Sequence, residues 1–461
     1  MPRRYTEPVA SDKGESANRQ DARVRDREPW YHRRRTPRGE GRSPVNETER
    51  ERNKAAPALP EIPATLRRAL GLWLLVLYGL GSIIGAGIYV LVGAVAEAAG
   101  YGAPLSFLLA GILAGLTGLS YAELSARFPE AAGAAVYVKE AFGSDALSRL
   151  IGFLVVLVGV FLSASLARGA VGYIERFLDV PELPTALAMV AVFTLIACLG
   201  VVHSVRFAAL MTVIEIAGLI IVIAAGVPTL GRLPALLPEM LPLEAAAWTG
   251  IWAGAFLAFF AFLGFEDIVN MAEETHAAER TLPTAIIITI VLTTLIYGAV
   301  ALVAVSAVPM ERLAGSRAPL ELITEGASWV PPGTLSVIAL IAVPNGILIT
   351  LIMLARILYG MARRGWLPRA LAHVNPLTRT PLRTTLLVGA VVLGFTAGIE
   401  FIGLVTLTSA VNLVVFTVVN LALWKLQREG GGRRLPIQVP RWCPPVAAAS
   451  SVGLLIVSLF G

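Results

Sequence analysis

Charged residues are scarce in this chain, and the residue types that build metal sites or disulfide frameworks are scarcer still. Only 15% of the 461 residues are charged, whereas soluble domains average about 25%. The two cysteines and four histidines show no metal-ligand spacing and no disulfide framework. The apolar segments contain no Ser/His/Asp grouping, and the chain shows no cytoplasmic catalytic domain. We therefore predict an integral membrane protein that is not an enzyme, with no catalytic residues, no metal and no cofactor.

Eleven apolar segments, called spans 1 to 11 below, make up most of the chain after residue 70. They lie near residues 71–97, 103–125, 149–177, 184–202, 208–230, 248–271, 284–308, 334–361, 384–400, 403–424 and 440–460. Each is close to the roughly 20 residues that a helix needs to cross a bilayer. Lys and Arg concentrate in the gaps after spans 2, 4, 6, 8 and 10. By the positive-inside rule, these gaps and the N-terminus face the cytoplasm of a multi-pass cell-membrane protein, and eleven spans then put the C-terminus outside.

Residues 1–65 form a polar tail that is rich in Arg, Glu and Asp. Its few aliphatic residues cannot offset the entropy of ordering, so we predict a disordered cytoplasmic tail. Its positive charge suits the orientation given above, and the alternative is an interaction with anionic lipid headgroups or a regulatory partner. The net charge of +6 comes mostly from this tail and the loops, and it does not indicate nucleic-acid binding.

Span 1 contains a segment that is poorly suited to an unbroken helix. Residues 79–89 (GLGSIIGAGIY) include four glycines, and each costs a helix about 1 kcal/mol relative to alanine. Glycine lets the backbone leave the helix and approach a ligand, and opened backbone in a membrane must be buried in protein or line a cavity. The alternative is a helix-packing face of small residues, because Gly81 and Gly85 are four positions apart.

Span 6 is interrupted in the same way at residues 261–266 (AFLGFE), where a carboxylate lies deep in an apolar run. Five spans separate the two breaks, so spans 1 and 6 run in opposite directions. Paired interruptions in oppositely oriented halves are typical of a transporter site at the membrane midplane. We predict an all-α membrane protein with inverted five-helix repeats at residues 66–235 and 236–426, and a peripheral helix at residues 427–461.

Four groups of residues carry a resemblance to a known family. They are GSIIGAGIY (81–89); SYAELSARFPE (120–130) with YVKEAFG (137–143); FFAFLGFEDI (259–268) with AEE (272–274) and RTLP (280–283); and ARILYGMAR (355–363) with GWLP (365–368). In this order and spacing the chain resembles the amino acid–polyamine–organocation (APC) transporter superfamily, in its cationic-amino-acid-transporter-like branch. The resemblance implies a LeuT-like 5+5 inverted repeat with broken helices 1 and 6.

The chain also departs from the family pattern at three places. Many members have Asn-Pro where this chain has Ala277 and Ala278, and Arg364 stands where an acidic or neutral residue is common. Many members have twelve helices, whereas only eleven spans occur here. The two loop changes concern gating rather than the fold.

The two breaks present groups that suit a free amino acid. Main-chain N–H groups at the start of the half-helix 87–96 would bind its carboxylate, and carbonyl groups at the end of the half-helix 72–81 and in span 6 would bind its ammonium. The predicted substrate-binding residues are Ser82, Ile83, Ile84, Gly85, Ala86, Gly87, Phe260, Ala261 and Leu263. The resemblance implies that Phe260 closes over the substrate from outside. Phe260 and Phe262 are therefore the predicted gate, with ordinary aromatic packing as the alternative.

Glu215 lies within span 5, and an ionisable group in a membrane helix is a functional candidate by default. Removal from water disfavours its charged form, so this carboxylate could take up and release a proton. Several proton-coupled members of the resembling family carry a lysine at about this place. The alternatives are an ion pair with Arg168 of span 3, or a solvated position near the cytoplasmic end.

Together these features predict a secondary active amino acid transporter that works by alternating access as a proton symporter. The alternatives are an amino acid or polyamine exchanger and a transport-dead membrane sensor of amino acids. The predicted partners are a small-molecule amino acid, protons and the lipid bilayer, with no nucleic acid. A side-chain pocket is expected from spans 3, 6, 8 and 10, whereas neither the particular substrate nor the oligomeric state can be derived from the sequence.

Overall fold

The computed structural model describes residues 68–461 except residues 85–86, 132, 175–177, 200, 315, 317–318, 400, 431–434 and 461. The predicted N-terminal tail therefore lies outside the described residues. α-Helices make up most of the described chain, in which there is no β-strand. A single β-bridge joins Leu70 to Thr275.

In chain order the helices are α1 (Leu72–Ile84), α2 (Gly87–Ala99), α3 (Ala103–Arg127), α4 (Gly133–Phe142), α5 (Asp145–Ile174), α6 (Glu182–Cys198), α7 (Val201–Gly226), α8 (Leu233–Met240), α9 (Ala245–Phe260), α10 (Ala278–Ala307), α11 (Met310–Ala314), α12 (Pro319–Thr324), α13 (Thr334–Arg363), α14 (Leu382–Gly398), α15 (Phe401–Glu429) and α16 (Cys443–Phe460). Short 3-10 segments occupy Gly100–Gly102, Val227–Arg232, Phe265–Glu274 and Arg369–Ala372.

Eight helical stretches of the described chain are long and apolar enough to cross a membrane, and three shorter apolar helices accompany them. Each of the eleven predicted spans overlaps one of these stretches. The three short helices correspond to spans 4, 9 and 11, which are α6, α14 and α16. The prediction of an all-α membrane protein is confirmed, while the count of eleven crossings and the boundaries of the two repeats stay predictions.

The predicted interruption of span 6 occurs in the structure, whereas that of span 1 falls at residues 85–86, which lie outside the described residues. In span 1 the described helix α1 reaches Ile84, and α2 is described from Gly87 onward. In span 6, α9 ends at Phe260, and the chain resumes at Phe265 as a 3-10 segment rather than an α-helix. Gly264 precedes that segment with φ +121°. Only glycine adopts this conformation readily, so the backbone leaves the α-helix at the residue that tolerates it best.

Small residues allow the long helices to approach each other closely. α3 packs along α10, where a Cβ atom at Gly111 would lie 2.6 Å from Thr294 Cγ2. One at Gly118 would lie 2.1 Å from Ile290 Cδ1. Lipid tails are as apolar as leucine, so packing of this kind stabilises helix pairs in a bilayer where the hydrophobic effect does not. α3 and α10 thus form a closely packed pair.

Candidate functional site

Span 1 contacts the break of span 6 from both α1 and α2. Ser82, in the last turn of α1, donates a hydrogen bond from Oγ to Oδ2 of Asp267. A Cβ atom at Gly264 would lie 2.8 Å from the main-chain carbon of Ser82. On the other side of the break, a Cβ atom at Gly87 would lie 2.5 Å from Cα of Ala261. The glycines at these two positions therefore provide the space in which the broken helices meet.

The structure corrects one part of the predicted site. α1 continues to Ile84, so the N–H groups of Ser82, Ile83 and Ile84 belong to the helical hydrogen-bond ladder and are not available to a carboxylate. The N–H groups from Gly87 onward stay the predicted donors, because α2 is described only from that residue. The predicted donors at Gly85 and Ala86 lie outside the described residues.

Tyr297 of α10 links the carbonyl groups of the two breaks. Its buried hydroxyl lies 3.0 Å from the carbonyl oxygen of Ile83 and 3.3 Å from that of Ala261. One O–H group donates to one acceptor at full strength, so the other carbonyl keeps capacity for a ligand. Tyr297 was not among the predicted site residues. The one indication in the sequence is its position in the middle of an apolar span, where a buried tyrosine hydroxyl needs a polar partner.

Glu266 holds the break of span 6 in place. Its Oε2 accepts a hydrogen bond from the N–H group of Gly264 at 2.9 Å. Its Oε1 accepts one from Nδ2 of Asn412, on α15, at 2.9 Å. Both oxygens of this 9% exposed side chain are thus engaged by the protein. The prediction included neither Glu266 nor Asn412 in the site.

A small cavity of about 20 Å³ lies beside this break, with room for a water molecule but not for an amino acid. Spans 3, 6, 8 and 10, the four expected to build the side-chain pocket, all contribute to it, together with Tyr121 of span 2. The lining residues are Tyr121, Val155, Val158, Gly159, Leu162, Leu263, Gly264, Glu266, Asp267, Met353 and Asn412. Apolar side chains of span 3 thus face acidic side chains of span 6, so the cavity has one apolar and one acidic wall.

Glu215 of α7 is completely buried next to the first break. Its Oε1 accepts a hydrogen bond from Nδ2 of Asn345 at 2.8 Å, and that nitrogen lies 3.1 Å from Oγ1 of Thr212. Within the described chain, Oε2 of Glu215 and Oδ1 of Asn345 have no hydrogen-bond partner. A buried carboxylate is destabilised when it is charged and one of its oxygens has no hydrogen-bond partner. Such a site favours a bound proton or cation.

This carboxylate cluster contacts both halves of span 1. A Cβ atom at Gly81 of α1 would lie 2.1 Å from Oγ1 of Thr212 and 2.9 Å from Nδ2 of Asn345. Tyr89 of α2 donates a hydrogen bond from its hydroxyl to the main-chain oxygen of Glu215 at 3.0 Å. A change in the charge or hydrogen bonding of the cluster therefore acts directly on the broken helix.

The alternatives raised for Glu215 from the sequence do not match its surroundings. Arg168 pairs with Glu182 at 3.1 Å and donates to the main-chain oxygen of Thr396 at 2.9 Å. Glu215 is 0% exposed, so it is not solvated at a helix end. Its contacts are instead the neutral side chains of the cluster.

The two predicted gate residues have different environments. Phe262 is fully buried, and its ring packs edge-on against Tyr297 with centroids 5.1 Å apart. Phe260 is the last residue of α9 and is partly buried. Phe262 thus makes the packing contact raised as the alternative to gating, whereas the role of Phe260 stays a prediction.

A buried ion pair ties together spans 1, 6 and 8. Arg356 of α13 donates to both carboxylate oxygens of Glu274 at 3.0 and 2.8 Å, and neither side chain is more than 1% exposed. The main-chain oxygen of Glu274 accepts hydrogen bonds from the N–H groups of Ala69 and Leu70 at 2.9 and 3.0 Å. The chain entering span 1 is therefore bound to the last residue of the 3-10 segment Phe265–Glu274.

Partly exposed ion pairs surround this buried one. Arg363 pairs with Glu273 at 2.6 Å, and Arg364 pairs with Glu130 at 2.6 Å and Glu140 at 3.1 Å. Each such pair contributes at most about 1 kcal/mol. Arg364, one of the departures from the family pattern, thus has partners in the segment after span 2. In the part of the chain that the structure describes, no group of three or more His, Cys, Asp or Glu side chains could hold a metal ion.

Comparisons with known proteins agree with this architecture. The sequence model of the amino acid permease family matches residues 70–461. The chain is 30% identical over 417 residues to a methylthioribose transporter of Bacillus subtilis, covering 85% of this chain and 88% of that protein. It is 32% identical over 383 residues to the mitochondrial cationic amino acid transporter 3 of Arabidopsis thaliana, covering 78% of this chain and 62% of that protein.

Among solved structures, the chain matches MhsT in complex with L-phenylalanine with a TM-score of 0.58 at 16% identity. The match covers 85% of this chain and 99% of that one, and it confirms the predicted LeuT-like fold. The broken spans, their contact and the family match lead to one conclusion. The chain belongs to the amino acid permease family of the APC superfamily, whose members are multi-pass membrane transporters rather than enzymes.

Proposed function

We propose that this permease carries an amino acid together with protons by alternating access. The observation that supports the proposal is the contact between the two breaks beside the buried Glu215 cluster. In this proposal the first turn of α2, from Gly87, with Gly85 and Ala86, binds the substrate carboxylate through N–H groups. The carbonyl ends of α1 and α9 bind the ammonium.

Glu215 would be the proton carrier. A proton on Oε2 would remove a buried negative charge and turn an acceptor without a partner into a donor. The cluster abuts Gly81 and Tyr89, so the two protonation states of Glu215 would favour different positions of span 1. Only such a difference in free energy between states can shift a conformational equilibrium.

Replacing Glu215 by Gln is expected to abolish proton-driven accumulation while sparing exchange. Gln keeps the side-chain volume and an acceptor for Asn345 but cannot release a proton. The measurement is uptake of labelled amino acid into liposomes, once under an inward proton gradient and once as counterflow without a gradient. Glu182→Gln is the matched control, because that carboxylate is 55% exposed and only pairs with Arg168.

Four results would contradict the proposal. Proton-driven uptake by Glu215→Gln at the wild-type level would remove the assigned role of Glu215. Accumulation driven by a sodium gradient instead would replace the coupling ion. Uptake that needs internal substrate would indicate an exchanger, and binding without any uptake would indicate a sensor.

The substrate class can be narrowed without labelled compounds. A bound ligand raises the free energy of unfolding by RT ln(1 + [L]/Kd). We therefore expect a rise in melting temperature with some of the twenty amino acids, measured on purified protein. The relatives differ in the substrates their names give, a methylthioribose and cationic amino acids, so the screen includes both classes.

We also propose that the N-terminus is cytoplasmic and the C-terminus external in a cell membrane. The Arg363 and Arg364 ion pairs lie after span 8, in one of the positively charged gaps that the positive-inside rule assigns to the cytoplasm. Labelling of single cysteines from either side of the membrane, at Arg364 and at Arg312, would test this orientation.

A further inference from the structure

We infer that Asp267 is a charged ligand for the ammonium group of the transported molecule. The adjacent Glu266 instead has a structural role, because it joins the break of span 6 to α15. The inference rests on the proposed site between the two breaks and adds a formal negative charge to it. It makes primary amines, with or without an α-carboxylate, the ligand class of this subsite.

The two acidic neighbours differ in how far the protein already satisfies them. Glu266 accepts from the N–H group of Gly264 with one oxygen and from Asn412 with the other. The Asp267 carboxylate accepts a hydrogen bond only from Ser82 among the described residues, and that bond reaches Oδ2. Oδ1 of Asp267 is therefore the acceptor that remains for a ligand.

Burial makes the open oxygen of Asp267 significant. The residue is 3% exposed and lines the cavity beside the span 6 break. A carboxylate removed from water needs a cation or several donors to offset the lost hydration. No Lys, Arg or His is among the residues that line this cavity, and neither acidic residue takes part in an ion pair within the described chain.

The position of Asp267 points to an ammonium group. Its hydrogen bond to Ser82 places it beside α1, next to the break of span 6. The carbonyl oxygens of Ile83 and Ala261 lie at the same two breaks. Such a concentration of acceptors matches the three donors of an ammonium group.

The test is ligand binding by the full chain in two matched pairs of probes. The pairs are L-lysine with 1,5-diaminopentane, and L-leucine with 3-methylbutylamine, in which each amine lacks only the carboxylate of its amino acid. We expect at least one amine to raise the melting temperature of the wild type. Asp267→Asn should weaken that binding about 10- to 100-fold, the factor that a hydrogen bond to a charged group contributes.

Two controls separate a ligand role from a structural one. Asn still offers an oxygen to Ser82, so Asp267→Asn should keep the ligand-free melting temperature near that of the wild type. Glu266→Gln should lower that temperature, because it weakens the hydrogen bonds to Gly264 and Asn412, but leave the ratio of amine to amino acid affinity unchanged. A ratio that falls in Glu266→Gln and not in Asp267→Asn would reverse the assignment.

The outcomes also separate this inference from the proposed function. The inference is overturned if Asp267→Asn binds the amines as the wild type does, or if the wild type binds neither amine. Proton-driven amino acid uptake in the wild type would still support the proposed function in that case. The opposite outcome is amine binding that depends on Asp267 in a protein that shows no proton-driven uptake. That result would support the ammonium subsite and contradict the proposed proton coupling.

Discussion

Replacing Gly264 by alanine is expected to abolish both substrate binding and transport and to lower stability strongly. The residue has φ +121°, a conformation that costs a non-glycine residue about 1–3 kcal/mol. The new Cβ atom would also lie 2.7, 2.8 and 2.9 Å from Oγ, the main-chain carbon and the carbonyl oxygen of Ser82. Main chain cannot move aside as a flexible side chain can, so the two breaks would have to separate.

Gly333→Ala is the matched control for this prediction. Gly333 has φ +81°, and a Cβ atom added there would have nothing within 4 Å. Alanine at this position would therefore introduce a backbone strain of about 1–2 kcal/mol without a steric clash. Melting temperature and uptake in liposomes should be nearly normal for this variant. Wild-type binding by Gly264→Ala would mean that the contact between the breaks is not needed for the site.

Replacing Arg356 by Met is expected to cost about 3–5 kcal/mol of the free energy of unfolding, because it leaves the Glu274 carboxylate buried without its cation. The chain entering span 1 should loosen as well, since its N–H groups bond to the main chain of the same glutamate. The measurement is equilibrium unfolding of the purified protein in detergent with increasing denaturant.

A second substitution identifies the cause of that loss. In Arg356→Met combined with Glu274→Met, both charges are gone, and most of the stability should return. Arg363→Met is the control, because the pair of Arg363 with Glu273 is partly exposed and contributes at most about 1 kcal/mol. A double variant as unstable as the single one would show that lost packing, and not the unpaired charge, causes the effect.

Hydropathy and glycine content were sufficient to predict the membrane class and the break of span 6. Both depend on local composition, because a helix in lipid needs a continuous apolar run and weakens where glycines cluster. The extent of α1 was not predictable in the same way. The sequence placed its end at Gly81, whereas the helix continues to Ile84, because buried contacts override a weak local preference.

The partners of the polar groups were decided by the tertiary structure alone. Arg168 was a candidate partner for Glu215, yet the structure pairs it with Glu182 of α6 and gives Glu215 a neutral amide from Asn345, 130 positions away. Loop charges and periodicity assign a residue to a span and a depth. They do not give the rotation of each helix about its axis or the helix that it packs against, and hydrogen bonds depend on both.

The same reason explains what remained hidden at the central site. The glycine-rich segment of span 1 and its counterpart in span 6 could be read from the sequence because the pattern is local. Tyr297 and Asn412 join that site from two distant spans. The sequence by itself determined that a site between two broken helices should exist. Only the packing of the helices decided which side chains meet there, because contacts between distant segments exist only once the chain has folded.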